Sequence, residues 1–503
     1  MKHATIQTAA LLLAALLTAP VCASCADTPA ADSADTTAAV TEAQTAAETA
    51  DPNDRTQIKD KLPDDLDFDG RTFTVFISCP SDQNDFLGGV EEQTGELVED
   101  AVYNRNASVE ERLNIELVYN PRTELTGGTL DAAVLKLLMA GDSSQDLFAG
   151  QQYGMAKLLT SGGFVTAEDL GYIDLEQPWW WKDYMDELTL GNSGHYFLVG
   201  DYFIESLRFT RAVLYNKDLY AQYYDNGDVL YDLVLNGKWT IDVMAECAKN
   251  VYVDLNNNGV TDEEDQLGFI SWLKLASTDP FVYSTDISYT KRDKDGYLTL
   301  DMISDDAVTL CEKLVDFFWQ PGSYDGCTSD EQQASLFSSG RALFMGNANL
   351  KTAELLREMK DAFGILPYPK FDEEQKEYRS LVHDAGLIGA VNGCSGNLDM
   401  AGAVLEALCA ETYRSVTPVW YETALKIKYT RDDISAQMID LIHDSITTNF
   451  IYAYNYALSD IGLQYRTLIT NNSTDYVSQV EKQLKAAEKS LQELTDVFSG
   501  ANQ

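Results

Sequence analysis

The sequence predicts an α/β protein. Strands and helices alternate from residue 72 onward. Along them the apolar pattern changes from alternate residues to every third or fourth residue and back. Thr72–Ser78 (TFTVFIS) alternates as a half-buried strand does. Leu97, Ala101, Val102, Val109 and Leu113 lie mostly at helical spacing, and Ile115–Tyr119 is a second strand. Leu130, Val134, Leu137 and Leu138 mark the next helix, which Gly141 ends, and Asp146–Ala149 is a third strand. Strand–helix–strand–helix–strand implies a parallel sheet with right-handed crossovers. Ligands of such sheets bind beyond the carboxyl ends of the strands, here at Gly150-Gln151-Gln152-Tyr153.

A second α/β stretch follows Arg211. Val213-Leu214-Tyr215 is a short strand, with helices near Asp218–Tyr224 and Ile241–Val251. Val477, Val480, Leu484, Ala487, Leu491, Leu494 and Phe498 form an apolar stripe, read as a terminal helix packed on the body rather than as a coiled-coil partner.

The N-terminus predicts export. Lys2 and His3 precede an apolar run, Ala9 to Leu17, then the small-residue stretch Val21-Cys22-Ala23-Ser24-Cys25. That is the layout of a secretory signal, and the run is too short to span a bilayer as a helix. The cysteine after small residues resembles a bacterial lipobox. Ala23 and Ser24 favour Cys25 over Cys22 as the lipidated residue; the alternative is an ordinary signal cut nearby. Residues 1–24 are then a lipoprotein signal peptide. Residues 26–61 are Ala, Thr, Asp and Glu with hardly an aromatic, so a disordered acidic tether is expected over 25–65, with the body beginning near Phe68. About 40 flexible residues reach roughly 35 Å r.m.s..

The chain of 503 residues carries a net charge of −44. Removing residues 1–24 takes away Lys2 and no acid, leaving 35 basic and 80 acidic residues, or −45. Such a surface serves solubility and repels nucleic acid, anionic lipid and polyanionic ligands. Six cysteines lie beyond Cys25, none in CxxC spacing, so neither a zinc ribbon nor a redox motif is indicated. Export permits disulfides, but sequence cannot pair them, and buried free thiols are as reasonable. No GxxxxGK[ST], HExxH or GxSxG motif occurs. Of four histidines, His383 beside Asp384 is a candidate for a cleft, against a satisfied surface or core histidine. Of Trp179-Trp180-Trp181, one or two indoles are expected to be buried, leaving one for ligand or partner.

Residues 254–265 fit the calcium loop D-x-[DN]-x-[DN]-G-x5-E except at the last letter. Oxygen ligands would come from Asp254, Asn256, Asn258, the carbonyl of Val260, Asp262 and Asp265, with Gly259 at the sharp turn. Asp at position 12 has a shorter arm than Glu, which weakens two-point ligation. A structural Ca²⁺ is the expectation, a solvated acidic loop the alternative.

Several segments resemble the extracellular solute-binding proteins of ABC importers, the broad group that includes maltose-binding protein. They are Asn104–Arg112, Asp146–Gly150, Val213–Leu219, Asn236–Thr240, Gly340–Met345 and Phe363–Pro369, in that order. The resemblance implies the two-lobed periplasmic-binding-protein type II fold, with a hinge between two α/β lobes. Lobe one would be 66–206 plus 343–412, lobe two 207–342 plus 413–503. It implies no enzyme, but a monomeric receptor that captures a solute, with a sugar or oligosaccharide as the expectation, and delivers it to the transmembrane subunits of an ABC permease while held to the membrane by its lipid. By family position the ligand contacts would be Gln151, Gln152 and Tyr153 at a strand end and Glu205 at the first crossing. Phe281 and Tyr283 would supply stacking aromatics, Asn347 and Asn349 would line the return crossing, and Trp420 and Tyr421 would lie beyond the last one. A sugar presents apolar faces to aromatics and hydroxyl edges to polar groups. Two other readings stay open: a secreted glycoside hydrolase using two carboxylates, and a surface glycan-binding or sensory module without transport.

Overall fold

A computed structural model describes residues 55–79, 87–272, 277–421 and 433–498. In chain order its strands are β1 (Arg71–Ser78), β2 (Ile115–Pro121), β3 (Leu147–Gln151), β4 (Phe164–Val165), β5 (Val213–Asn216), β6 (Leu267–Trp272), β7 (Thr290–Arg292) and β8 (Leu298–Leu300). They continue with β9 (Ser323–Cys327), β10 (Ala342–Met345), β11 (Phe363–Leu366), β12 (Ser380–Leu381), β13 (Leu387–Asn392) and β14 (Ile446–Thr447). Two five-stranded sheets organise two lobes, ordered β2-β1-β3-β13-β4 and β11-β5-β10-β6-β9. Each has four strands running one way and one against them. In the first, β13 runs antiparallel to β3; in the second, β5 runs antiparallel to β10.

The alternation in Thr72–Ser78 is a real strand, its central residues Phe73, Val75, Phe76 and Ile77 wholly buried. The helix Leu97–Leu113 buries Val98, Val102, Arg105, Val109 and Leu113, a spacing of three and four. Leu97, expected on that face, is exposed, and Arg105 lies there instead. Its Nη2 donates to the Leu87 carbonyl at 2.6 Å, and the guanidinium lies 5.0 Å from the Tyr202 ring. The terminal helix Tyr476–Phe498 packs on the helices Asp305–Trp319 and Gln464–Thr470 and buries Val480, Ala487 and Leu491.

Three expectations about domain limits are corrected. β10 and β11 belong to the second sheet, so the chain does not return to lobe one at 343; it returns between β11 and β13. The segment from 412 to 420 packs on the lobe-one helices Leu97–Leu113 and Leu398–Glu411, so lobe two does not resume at 413. The helix Asp433–Asp444 does pack against β11. The tether does not extend to 65, because the body begins by residue 55. Arg55 lies 4.8 Å from the Tyr413 ring, Asp60 accepts two hydrogen bonds of 2.8 Å from Arg112, and Leu62 is buried. Those ion pairs outweigh the low apolar content on which the disorder was predicted. Cys25 and the signal segment lie outside the described residues.

All three indoles of Trp179–Trp181 are buried, contrary to the expected free one. Trp179 and Trp180 both donate Nε1–H to Glu406, at 3.2 and 2.7 Å, and Trp181 donates to Asp201 at 3.0 Å. The stretch is neither helix nor regular strand, so consecutive side chains find separate partners. The cysteines Cys79, Cys247, Cys311, Cys327, Cys394 and Cys409 are all free. Among the described residues no helix is long and apolar enough to cross a membrane.

Candidate ligand-binding cleft

The chain passes between the lobes beside the carboxyl end of β10, where Arg211 bridges Asn349. On the first-lobe side, β3 runs into Gln152 and Tyr153, and Asp384 lies just ahead of antiparallel β13. Backbone N–H groups of Gln152 and Tyr153 donate to the carbonyls of Gly386 (2.9 Å) and Asp384 (3.2 Å), which fixes these two segments side by side. On the other side stand Asn347 after β10, Asp279 at the start of the helix Asp279–Tyr283, and Tyr452, Tyr456 and Arg466 from the C-terminal segment.

Tyr153 and Tyr456 have ring centroids 6.2 Å apart, and Tyr456 is exposed over more than half its surface. Gly127 makes room for Tyr153: a Cβ there would lie 2.0 Å from the Tyr153 ring. The Tyr452 hydroxyl accepts the Asp384 N–H at 3.2 Å, and its ring packs on Tyr283 at 5.1 Å. Arg466 grips Asp279 in a two-point contact, its Nε 2.7 Å from Oδ1.

Burial alone would raise the pKa of Asp384; His383, Arg466 and Arg211 outweigh it and hold the carboxyl below its ordinary value. Asp384 is therefore an ionised acceptor. Burial pushes Asp279 up, with Arg466 pulling against it. The amide nitrogen of Gln152 is buried without a hydrogen-bond partner, while its Oε1 accepts from Tyr184. A donor left unpaired beside an ionised carboxylate and two tyrosine rings is suited to a polyhydroxylated guest.

Of the residues predicted from sequence, the structure brings Gln152, Tyr153 and Asn347 to this place. Gln151 lies beside them, but its Oε1 is engaged by the Gly127 N–H at 2.9 Å. The others have structural duties. Phe281 is fully buried among Phe269, Phe317, Phe318 and Tyr368, so it is core and not a stacking platform. Tyr283 is buried, with its hydroxyl donating to the Gly462 carbonyl at 2.7 Å. Glu205 is fully buried against Arg208, 2.6 Å away, and Arg208 also meets Glu354 at 3.1 Å. Trp420 joins that network through Nε1 to Glu354, 3.4 Å. Tyr421 packs on Trp420 and His443. Asn349 caps the turn Leu350–Leu356. The first crossing is thus held by a buried ion network, where family position had implied ligand contacts.

Sequence reasoning missed Arg211, Asp279, Tyr456 and Arg466. Only His383-Asp384 had been marked, as a pair in a short polar break between strands. Tyr456 and Arg466 come from short helical turns with no distinguishing spacing.

The 254–265 loop closes under a Val253–Gln266 bridge, with Gly259 at φ +76°. Asn258 and Val260 N–H groups donate to the side-chain oxygens of Asn256 and Asn258, at 2.9 and 2.7 Å. Asp254 Oδ1 is buried without a hydrogen-bond partner, which fits a cation ligand. The amide nitrogens of Asn256 and Asn258 point to Asp262, at 3.1 and 2.7 Å, so these amides would have to turn over to ligate. Among the described residues no group of three His, Cys, Asp or Glu side chains gathers to hold a metal. The ligand set would rest on amide and carbonyl oxygens as much as on carboxylates.

Two α/β lobes, crossed repeatedly by the chain around a polar and aromatic cleft, define the type II periplasmic-binding fold of the maltose- and maltodextrin-binding proteins. Two solved structures are similar over nearly their full length. One is a cyclo/maltodextrin-binding protein complexed with maltotetraose, with a TM-score of 0.53 at 12% identity, covering 84% of this chain and 96% of the other. Another is the maltose/maltodextrin-binding domain from Bdellovibrio bacteriovorus bound to maltotriose, with a TM-score of 0.50 at 16% identity, covering 84% and 100%. No family model and no curated protein matches the sequence.

Proposed function

We propose that the chain is a lipid-anchored extracellular solute-binding protein. It captures a carbohydrate between its lobes and delivers it to the transmembrane subunits of an ABC importer, without catalysing a reaction. One observation carries the reading: Tyr153 and Tyr456 flank ionised Asp384 in the cleft. Two rings take the apolar faces of a sugar, and a carboxylate and an unpaired amide take its hydroxyls. Support also comes from the likeness in fold to proteins solved with maltotetraose and maltotriose. Ligand that touches both lobes favours the closed form by the difference between its affinities for closed and open.

Calorimetric titration against an oligosaccharide panel, with reducing ends assayed in parallel, tests this. Saturable binding without turnover is the expected result; released reducing ends would overturn it in favour of a hydrolase.

Cys25 is proposed as the lipidated residue, on the small residues that precede it. A tether raises the local concentration of receptor at the permease. Cys25→Ala is expected to leave affinity intact and to lower uptake by cells. The 254–265 loop is proposed to hold a structural Ca²⁺, supported by its spacing and by the unpaired Oδ1 of Asp254.

A further inference from the structure

Arg211 is an unusual cation for its place. It sits on the first crossing between the lobes, only 2% exposed. Its N–H bonds to the Leu381 carbonyl (2.8 Å), and Arg211 forms a bridge with Asn349, so both crossings hold its backbone. Nη1 donates to the carbonyl and side-chain oxygens of Asn347, at 2.8 and 2.9 Å. Nε is buried without a hydrogen-bond partner, and among the described residues no carboxylate forms an ion pair with the group. Guanidinium does not lose its proton in proteins, and within hydrogen-bond reach this buried positive charge meets only neutral oxygens.

Two carboxylates, Asp279 and Asp384, act on it electrostatically, but neither forms an ion pair with it. Asp279, within electrostatic reach, is engaged by Arg466 in a two-point contact. That leaves Asp384 as the one carboxylate of the cluster outside an arginine pair, beside His383. Arg466 and Arg211 both act on it electrostatically. The cluster thus holds two guanidinium groups and two carboxylates, and only Arg211 lacks a carboxylate in direct contact. In a chain whose net charge is −44, the guanidinium without a direct charged partner is where a ligand anion would be held.

We propose that Arg211 recognises an anionic group on the ligand, and that the solute is an acidic carbohydrate, one bearing a carboxylate. This rests on the carbohydrate reading of the cleft. A carboxylate would complete the hydrogen bonding of Nε and give the guanidinium a charged partner in direct contact, which a hydroxyl cannot do. Tyr153 and Tyr456 would take the ring faces, and Asp384 the hydroxyls, at the same time. A single carboxylate is compatible with the strongly acidic exterior, whereas a polyanion is not.

The test is calorimetric titration of the soluble chain with uronic-acid oligosaccharides and with neutral oligosaccharides of the same length, at low and at high salt. The uronate is expected to bind at least tenfold more tightly, with a preference that shrinks as salt rises. In Arg211→Met the preference should disappear while some neutral-sugar binding remains. Because Arg211 is buried, Arg211→Lys serves as a second variant: it keeps the charge without the guanidinium fork and should weaken the uronate preference less than Arg211→Met does. Equal or tighter binding of the neutral sugar by the native chain would overturn the proposal and leave the carbohydrate reading standing. Failure to bind any sugar, acidic or neutral, would remove both.

Discussion

Tyr153 and Tyr456 meet at 6.2 Å between ring centroids, one ring from a strand end and the other from a C-terminal turn about 300 residues later. The first ring is locked against Gly127, and the second is exposed. Tyr456→Ala should therefore remove a binding surface without opening the core. Loss of one stacking ring is worth about 1 kcal/mol, roughly fivefold in affinity. Calorimetry should show that loss with the thermal midpoint nearly unchanged. A fall of many degrees would mean that Tyr456 holds the fold instead.

Glu406 titrates where carboxylates ordinarily do not. Burial raises its pKa to about 7, against hydrogen bonds from Trp180, Asp174 and Trp179. A raised folded value means that the native state holds the proton longer than the unfolded chain does. The contribution is unchanged below the unfolded value near 4.5 and is lost as pH rises from there to about 7. The loss is at most about 3 kcal/mol. Denaturant melts should show stability falling across this window, and Glu406→Gln should abolish the slope. Its absolute stability should be lower, because one indole N–H then faces an amide N–H. An unaltered slope would assign the effect elsewhere.

His443 contributes the next window. Burial works against its charge, but Asp201, 3.1 Å from Nε2, overrides that and raises the pKa to about 9. Asp201 also accepts from Trp181 at 3.0 Å and from Thr417 at 2.9 Å. Because the folded value is raised, the stabilisation is complete below the ordinary value of 6.5 and is lost as pH climbs through about 9. His443→Gln keeps a donor for Asp201 without the charge. Its stability should be flatter than the native chain's between pH 6.5 and 9 by hydrogen–deuterium exchange or urea melts. Parallel curves would show that His443 is not the titrating group.

The extent to which the sequence could be read follows from what each residue's signal depends on. β1, β2 and β3 were legible because alternation and its neighbours in sequence decide a buried strand. Gln152 and Tyr153 were placed by topology, since the carboxyl end of a parallel strand is fixed once the strand is known. Arg211, Tyr456 and Arg466 had no such marker: their position depends on three crossings far apart in the chain. Phe281 was misplaced for the converse reason. Its neighbours resemble a ligand segment, yet four aromatic rings packed around it claim its surface. The return crossing was also misplaced, since β10 reads the same whichever sheet it enters.

Calcium at the 254–265 loop is the remaining prediction. Asn257 at φ +60° and Gly259 at φ +76° turn the backbone, and with the Asn256 and Asn258 amides turned over their oxygens would join that of Asp254 as ligands. Asp265 is fully buried and accepts from Leu255 N–H (3.1 Å) and Asp262 N–H (3.1 Å), so the loop's last carboxylate is already oriented. A cation that binds only the folded loop stabilises by RT ln(1 + [L]/Kd), about 2.7 kcal/mol at a hundredfold excess over Kd. Chelator should therefore lower the melting midpoint by several degrees, and added Ca²⁺ should restore it, with Asp254→Ala insensitive to both. Native protein that melts identically with and without chelator, and holds no calcium by elemental analysis, would leave the loop a solvated acidic turn.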